Sequence, residues 1–172
     1  MSLARNRLHQ MIRVNQAGEY GAKRIYEGQL SVLKNSPSAA TIEHMKDQEL
    51  HHLETFNKLM VEGRVRPTLL QPLWHVAGFV MGAGTALLSE KAAMACTVAV
   101  EEVIDEHYRS QLDELDDDHQ DLKDTINQFR LEELEHRDTA LEHGAEETRA
   151  YPLLTTTIKT ASRFAIWLST KV

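Results

Sequence analysis

Along nearly the whole chain, apolar residues recur every three or four positions, and no run of strict apolar–polar alternation interrupts them. The spacing predicts helices and little else. A first helix is expected over about 3–33, closed by "KNSPS". Ser36 and Pro37 supply a cap and a first-turn proline for a second, which should run to about Glu62 with Gly63 as its stop. A third is expected over 90–115 and a fourth over 119–143, with Gly144 closing it. Between them the acidic run "DELDDD" reads as a solvated turn and helix start. In "AYPLL", Pro152 falls in the first turn of a last helix that reaches almost to Val172.

One stretch breaks the amphipathic pattern. From 67 to 89, "PTLLQPLWHVAGFVMGAGTALLS" has 23 residues and no Asp, Glu, Lys or Arg. A membrane span needs about 20 apolar residues. Pro72, His75 and the glycines at 78, 82 and 84 argue against one, and only 16 residues remain from Leu73 to Leu88. The expectation is a crossover helix, packed on the other helices or lying in a membrane surface.

Composition narrows the class. With 172 residues, 42% of them apolar, and only eight Gly and four Pro, the chain suits one compact helical domain over 1–172. A net charge of −7 excludes a nucleic-acid partner, since phosphate binding needs a basic surface. The single cysteine, Cys96, excludes an internal disulfide and a Cys-based zinc site, and reads as a small buried apolar residue. The opening "MSLARNRLHQMIRVNQ" lacks the apolar stretch of a signal peptide.

The chemistry lies on the helix seams. Heptads on the second helix place Ile42, Met45, Glu49, His52, Phe56 and Leu59 on one face. On the fourth they select Leu122, Ile126, Phe129, Glu133, His136 and Ala140. In both, a Glu and a His replace apolar residues at the centre of the stripe. The third helix aligns Met94, Val98, Glu101, Asp105, Tyr108, Leu112 and Leu115, so Glu101 rather than Glu102 points inward. On the first, Ile12, Glu19, Ala22, Tyr26 and Leu33 share a face, and the small residues of "QAGEYGA" should let a neighbouring helix come close. Glu132, Glu135 and His51 are expected to turn toward water.

The order repeats: Glu19 precedes Glu49-x-x-His52 by 30 residues, and Glu101 precedes Glu133-x-x-His136 by 32. Burying an uncompensated carboxylate costs several kcal/mol. Two divalent cations would balance four carboxylates, and no Lys or Arg on these seams does so. Four Glu and two His on four helices are the ligand set of a dinuclear carboxylate site in a ferritin-like bundle. The expected fold is therefore an all-α, ferritin-like four-helix bundle, its halves over about 3–63 and 90–144, with an apolar crossover and an added C-terminal helix over 151–171. Carboxylate and imidazole suit iron or manganese, and redox chemistry with dioxygen favours iron. Glu49 and Glu133, each leading its own His, are the expected bridges, with Glu19 and Glu101 terminal. Asp105 is a candidate to orient a histidine, and Tyr108 a hydrogen-bonding or redox-active neighbour.

The strings "QAGEYGAKRIYEGQ", "DQELHHLETFN", "RVRPTLLQPLW", "GAGTALL", "ACTVAVEE" and "EELEHRD" resemble the demethoxyubiquinone hydroxylases of ubiquinone biosynthesis, from about Ile12 to the C-terminus. The resemblance implies a membrane-associated di-iron monooxygenase that adds a ring hydroxyl to a polyprenyl methoxy-benzoquinone. It implies two iron ions, dioxygen as co-substrate and NADH as electron source, with electrons passing through the bound quinone or a partner protein. It carries the ligand set onto Glu19, Glu49, His52, Glu101, Glu133 and His136, and a catalytic pair onto His107 and Tyr108. Gln16 stands where relatives often have His, outside that set. The implied site is peripheral: the cytoplasmic side of a bacterial inner membrane, or the matrix side of the mitochondrial one. Trp74, Phe79 and Met81, with Leu154, Ile158, Phe164 and Trp167, would dock on the membrane and admit the ring; a homodimer contact or a cover for the bundle would use the same residues. Two alternatives remain. An iron-storage or peroxide-scavenging protein of the bacterioferritin or rubrerythrin kind shares the ligand pattern, and a non-catalytic module recruiting other quinone-pathway proteins would keep the metal as structure.

Overall fold

The computed structural model describes residues 5–172, so Leu3, the expected start of the first helix, lies outside the described residues. Six α-helices follow one another: α1 (Arg5–Leu33), α2 (Ala39–Gly63), α3 (Gln71–Leu88), α4 (Glu90–Glu114), α5 (Gln120–Glu142) and α6 (Tyr151–Ser169). No strand occurs among the described residues, so the all-α expectation holds.

Two boundaries differ from the sequence reading. The second helix starts at Ala39, after Ser38, rather than at Ser36–Pro37. Glu90 of α4 accepts from both the backbone N–H and the hydroxyl of Ser38, the former at 2.9 Å. A carboxylate from another helix thus fixes this end, which no local signal announces. At the far end Gly63 stays helical and Arg64 takes the left-handed conformation, φ 51°. The Arg64 and Val65 N–H groups bond back to Val61 and Met60, at 3.2 and 2.8 Å, and Val65 packs on Met60. This closed turn with its apolar contact offsets the steric cost of a side chain at positive φ.

α1 and α2 form one hairpin, α4 and α5 another. The hairpins meet with α1 antiparallel to α4: Gln29 reaches Ala93, Tyr26 reaches Glu101, and Asn15 reaches Gln111. The uncharged segment is a helix that lies on α1, running the same way, with Gly78 against Gly21 and Gly82 against Ile25. A Cβ at Gly78 would stand 2.8 Å from the Gly21 carbonyl oxygen, and one at Gly82 would collide with that of Ile25. Backbone touches backbone here. The small residues of "QAGEYGA" contribute Gly21 to this seam, while Gly18 opens onto a cavity.

α6 lies on α4 in the same sense, through Lys159–Glu102 and Arg163–Glu106. Its opening "YPLL" matches the "QPLW" that opens α3. α3 and α6 thus hold matching places, one on α1 and the other on α4. Among the described residues no helix is long and apolar enough to cross a membrane. Leu73, Val76, Val80, Leu87 and Leu88 of α3, and Leu153, Phe164 and Trp167 of α6, are exposed. Cys96 is buried as expected, and burial pushes its thiol up to about 12.

Candidate metal centre

Each half of the repeat delivers three of the six expected side chains to one point. Glu19, Glu49, His52, Glu101, Glu133 and His136 are all buried, none exposing more than 1% of its surface. Their donor atoms form two overlapping groups, Glu19–Glu49–His52–Glu133 and Glu49–Glu101–Glu133–His136, each drawn within 4.8 Å. Glu49 and Glu133 belong to both. Glu19 and Glu101 each belong to one.

The imidazoles present Nδ1 to the cluster. His52 Nδ1 lies 3.1 Å from Glu133 Oε1 and 3.4 Å from Glu19 Oε2. His136 Nδ1 lies 3.1 Å from Glu133 Oε2 and 3.3 Å from Glu49 Oε1. Glu133 thus offers one oxygen to each half. Phe129 stacks on the His52 ring at 4.0 Å between centroids, which sets its plane.

Electrostatics favour a cation at this point. Burial pushes the carboxyls of Glu19, Glu49 and Glu101 above the usual carboxylate range, and the charge of Glu133 adds to it. Burial opposes ionisation of Glu133 as well, but the adjacent imidazoles of His136 and His52 hold it at about 2. Burial would lower both imidazoles, yet the surrounding carboxylates raise His52 to about 12 and His136 to about 11. Protons and divalent cations compete for the same space. Glu19 Oε2, both oxygens of Glu49, Glu101 Oε2, Glu133 Oε2 and His136 Nδ1 are buried without a hydrogen-bonding partner. Each such atom costs about 1–3 kcal/mol unmatched, and all of them face the cluster's own donors. Two cations with hard-oxygen and imidazole preference fit this set.

A further layer holds the cluster, and the sequence reading found it only in part. The Tyr108 hydroxyl donates to Glu19, and that of Tyr26 donates to Glu101 at 2.6 Å, so each of these carboxylates is tied by the other half's tyrosine. Tyr26 was placed on the inner face without a partner; the matching step of seven from Glu19 to Tyr26 and from Glu101 to Tyr108 is the signal for it. His107 turns from the carboxylates into a buried amide pair, where Asn15 and Gln111 bond to each other and the Gln111 amide lies 2.8 Å from His107 Nε2. Two expectations need correcting. Asp105 orients no histidine: its oxygens accept from Arg130 at 2.6 Å and Arg109 at 2.7 Å, tying α4 to α5. Glu132 does not simply face water: its Oε2 lies 2.6 Å from His52 Nε2. In the same place on the other half, Gln48 Oε1 lies 3.0 Å from His136 Nε2.

Beside the cluster runs an apolar cavity of about 270 Å³ between α1, α3, α4 and α6. Gly18 and Val100, the chain neighbours of Glu19 and Glu101, are among its walls, with Trp74, Met81 and Phe164.

A family profile described as "Ubiquinone biosynthesis protein COQ7" matches residues 6–169. The chain belongs to that family. Among its relatives, a protein of Rhodospirillum rubrum named "3-demethoxyubiquinol 3-hydroxylase" is 56% identical over 166 residues, 96% of this chain and 78% of its own length. A rat protein named "NADPH-dependent 3-demethoxyubiquinone 3-hydroxylase, mitochondrial" is 53% identical over 172 residues, 98% of this chain and 79% of its own. A Saccharomyces cerevisiae protein named "5-demethoxyubiquinone hydroxylase, mitochondrial" is 46% identical over 182 residues, 96% and 78% of the two chains. Each of these matches covers 96% or more of this chain, and so includes all six cluster residues.

Proposed function

We propose that this chain is the demethoxyubiquinone hydroxylase of ubiquinone biosynthesis, with Glu19, Glu49, His52, Glu101, Glu133 and His136 holding two iron ions. One observation carries the reading: two four-donor groups share Glu49 and Glu133 in a water-excluded core, in a chain 46–56% identical to proteins named for this hydroxylation. The bound pair supplies the reductive activation of dioxygen that ring hydroxylation requires. The protein residues hold it. Tyr26 and Tyr108 fix the terminal carboxylates, and the buried apolar surroundings exclude water from the oxidising step. His107 and Tyr108 form the catalytic pair in this reading, Tyr108 standing between Glu19 and the amide network.

The apolar cavity takes the quinone ring and the start of its isoprenoid tail. The exposed faces of α3 and α6, which flank it, rest on a membrane surface, with Trp74 and Trp167 suited to the interfacial level. The location that follows is peripheral, on the cytoplasmic face of a bacterial inner membrane or the matrix face of a mitochondrial one. Electrons come from a reduced nicotinamide outside the cluster; the rat relative's name specifies NADPH, whereas the resemblance in the sequence implies NADH. An iron-storage role would require a closed shell of chains, and size-exclusion chromatography should show none.

The deciding experiment uses cells lacking the gene. They should accumulate the demethoxy quinone, and this chain should restore the product while Glu133→Ala does not. Product formation by a metal-free Glu133→Ala protein would overturn the reading.

A further inference from the structure

The six donors and their tyrosines match from one half of the centre to the other, but the hydrogen-bonding partners of the two histidines differ in charge. Glu19 corresponds to Glu101, Tyr26 to Tyr108, Glu49 to Glu133 and His52 to His136. The residue before each bridging glutamate reaches across to the outer nitrogen of the other half's histidine. On one side that residue is Glu132, whose Oε2 stands 2.6 Å from His52 Nε2. On the other it is Gln48, whose Oε1 stands 3.0 Å from His136 Nε2. Gln128 also donates to Glu132 Oε1 at 3.0 Å, so both oxygens of this carboxylate are engaged.

Each partner accepts through oxygen. Each therefore places the imidazole proton on Nε2 and leaves the Nδ1 lone pair facing the cluster. The two contacts set the same tautomer but not the same electron supply. An ionised acceptor makes a shorter and roughly twice stronger hydrogen bond than a neutral amide, and it makes the imidazole the more basic ligand. It also places an additional negative charge one ring away from the cation. The shorter distance at His52 agrees with that difference.

We infer that the two metal positions are unequal, and that Glu132 makes the one formed with His52 and Glu19 the tighter of the two. Glu132 is a positioning residue, acting on the metal through His52. The position at His136 and Glu101, backed by a neutral amide, fills second and loses its metal first. The expected separation is about tenfold or more in affinity, at the low end of what changes in such outer partners produce. The inference rests on the dinuclear reading above.

The test is an anaerobic titration of the full-length metal-free protein with Fe(II) alone, followed by calorimetry and by Mössbauer spectroscopy of iron-57 at one equivalent per chain. The wild type should fill in two steps and show one dominant quadrupole doublet at one equivalent. Glu132→Gln should bring the steps together and split the iron between two doublets. Gln48→Glu should tighten the weaker step. The double exchange, Glu132→Gln with Gln48→Glu, should restore two steps with the doublets filling in reverse order, which a merely misfolded protein cannot do. In the wild-type background His136→Ala should keep the tight step and His52→Ala should lose it. Two steps unaffected by Glu132→Gln, or a tight step that survives His52→Ala, would overturn the inference and leave the dinuclear reading in place. A wild type that binds fewer than two Fe(II) would overturn both.

Discussion

The six cluster residues were legible because a charged group at the centre of an apolar heptad stripe conflicts with its surroundings, and that conflict appeared four times in a repeating order. Periodicity reports the direction of each Cβ, not the reach of a long side chain. Glu132 lies beside the seam rather than on it, yet its three-bond side chain arrives at His52. Asp105 lies on the seam, yet two arginines outside the heptad register claim it. His107 carries a prediction at this scale. Burial, with Arg7 adding, pushes its imidazole down to about 4, against about 6.5 in an unfolded chain. Between those values the unfolded chain binds a proton that the native protein does not, so this residue makes stability fall as pH falls from 6.5 to 4. Chemical denaturation across that window should show a smaller pH slope for His107→Gln than for the wild type, by up to about one proton. Equal slopes would mean that the imidazole is free to charge in place.

At the scale of elements, helix number, order and most ends followed from apolar spacing, Gly144 and Pro152. The start of α2 did not, because its partner Glu90 is 52 residues away. The crossover helix was expected, but its seat on α1 was one of several surfaces it could have met. Glycines at 78 and 82 counted against a membrane span in the sequence; in the fold they are where two backbones touch. Gly84 of the same helix is exposed, with nothing near its missing Cβ. Gly82→Ala should therefore destabilise the protein by about 2 kcal/mol or more through overpacking. Gly84→Ala should be neutral or stabilise it by up to about 1 kcal/mol through helix propensity. Thermal melts of the two variants check the contrast, and equal effects would mean that α3 is not held by this seam.

For the whole molecule, the duplicated ligand motif is visible in the sequence, while the matching placement of α3 and α6 is not. Only two helices per half carry the chemistry, so only they repeat a motif. The third helix of each half repeats in placement, marked in sequence by little more than "QPLW" and "YPLL". The design has an energetic consequence: the hairpins meet through buried carboxylates, so whatever binds there also joins them. Fe(II) at about a hundred times its dissociation constant should add about 2.7 kcal/mol. That corresponds to a rise of about 5–10 °C in melting temperature for a chain of this size. Calorimetry under anaerobic conditions should show this shift in the wild type and little of it in Glu133→Ala. An unchanged wild-type transition would mean that the core is already satisfied without metal.

The backbone contact between α1 and α3 has a geometric corollary. Where Gly78 and Gly82 meet Gly21 and Ile25, backbone touches backbone, so at those points α3 cannot come closer to the helix that carries Glu19. In the function proposed above, that contact acts as a depth gauge: it limits how near a ring drawn in past α3 comes to the carboxylates, whatever the length of the tail behind it.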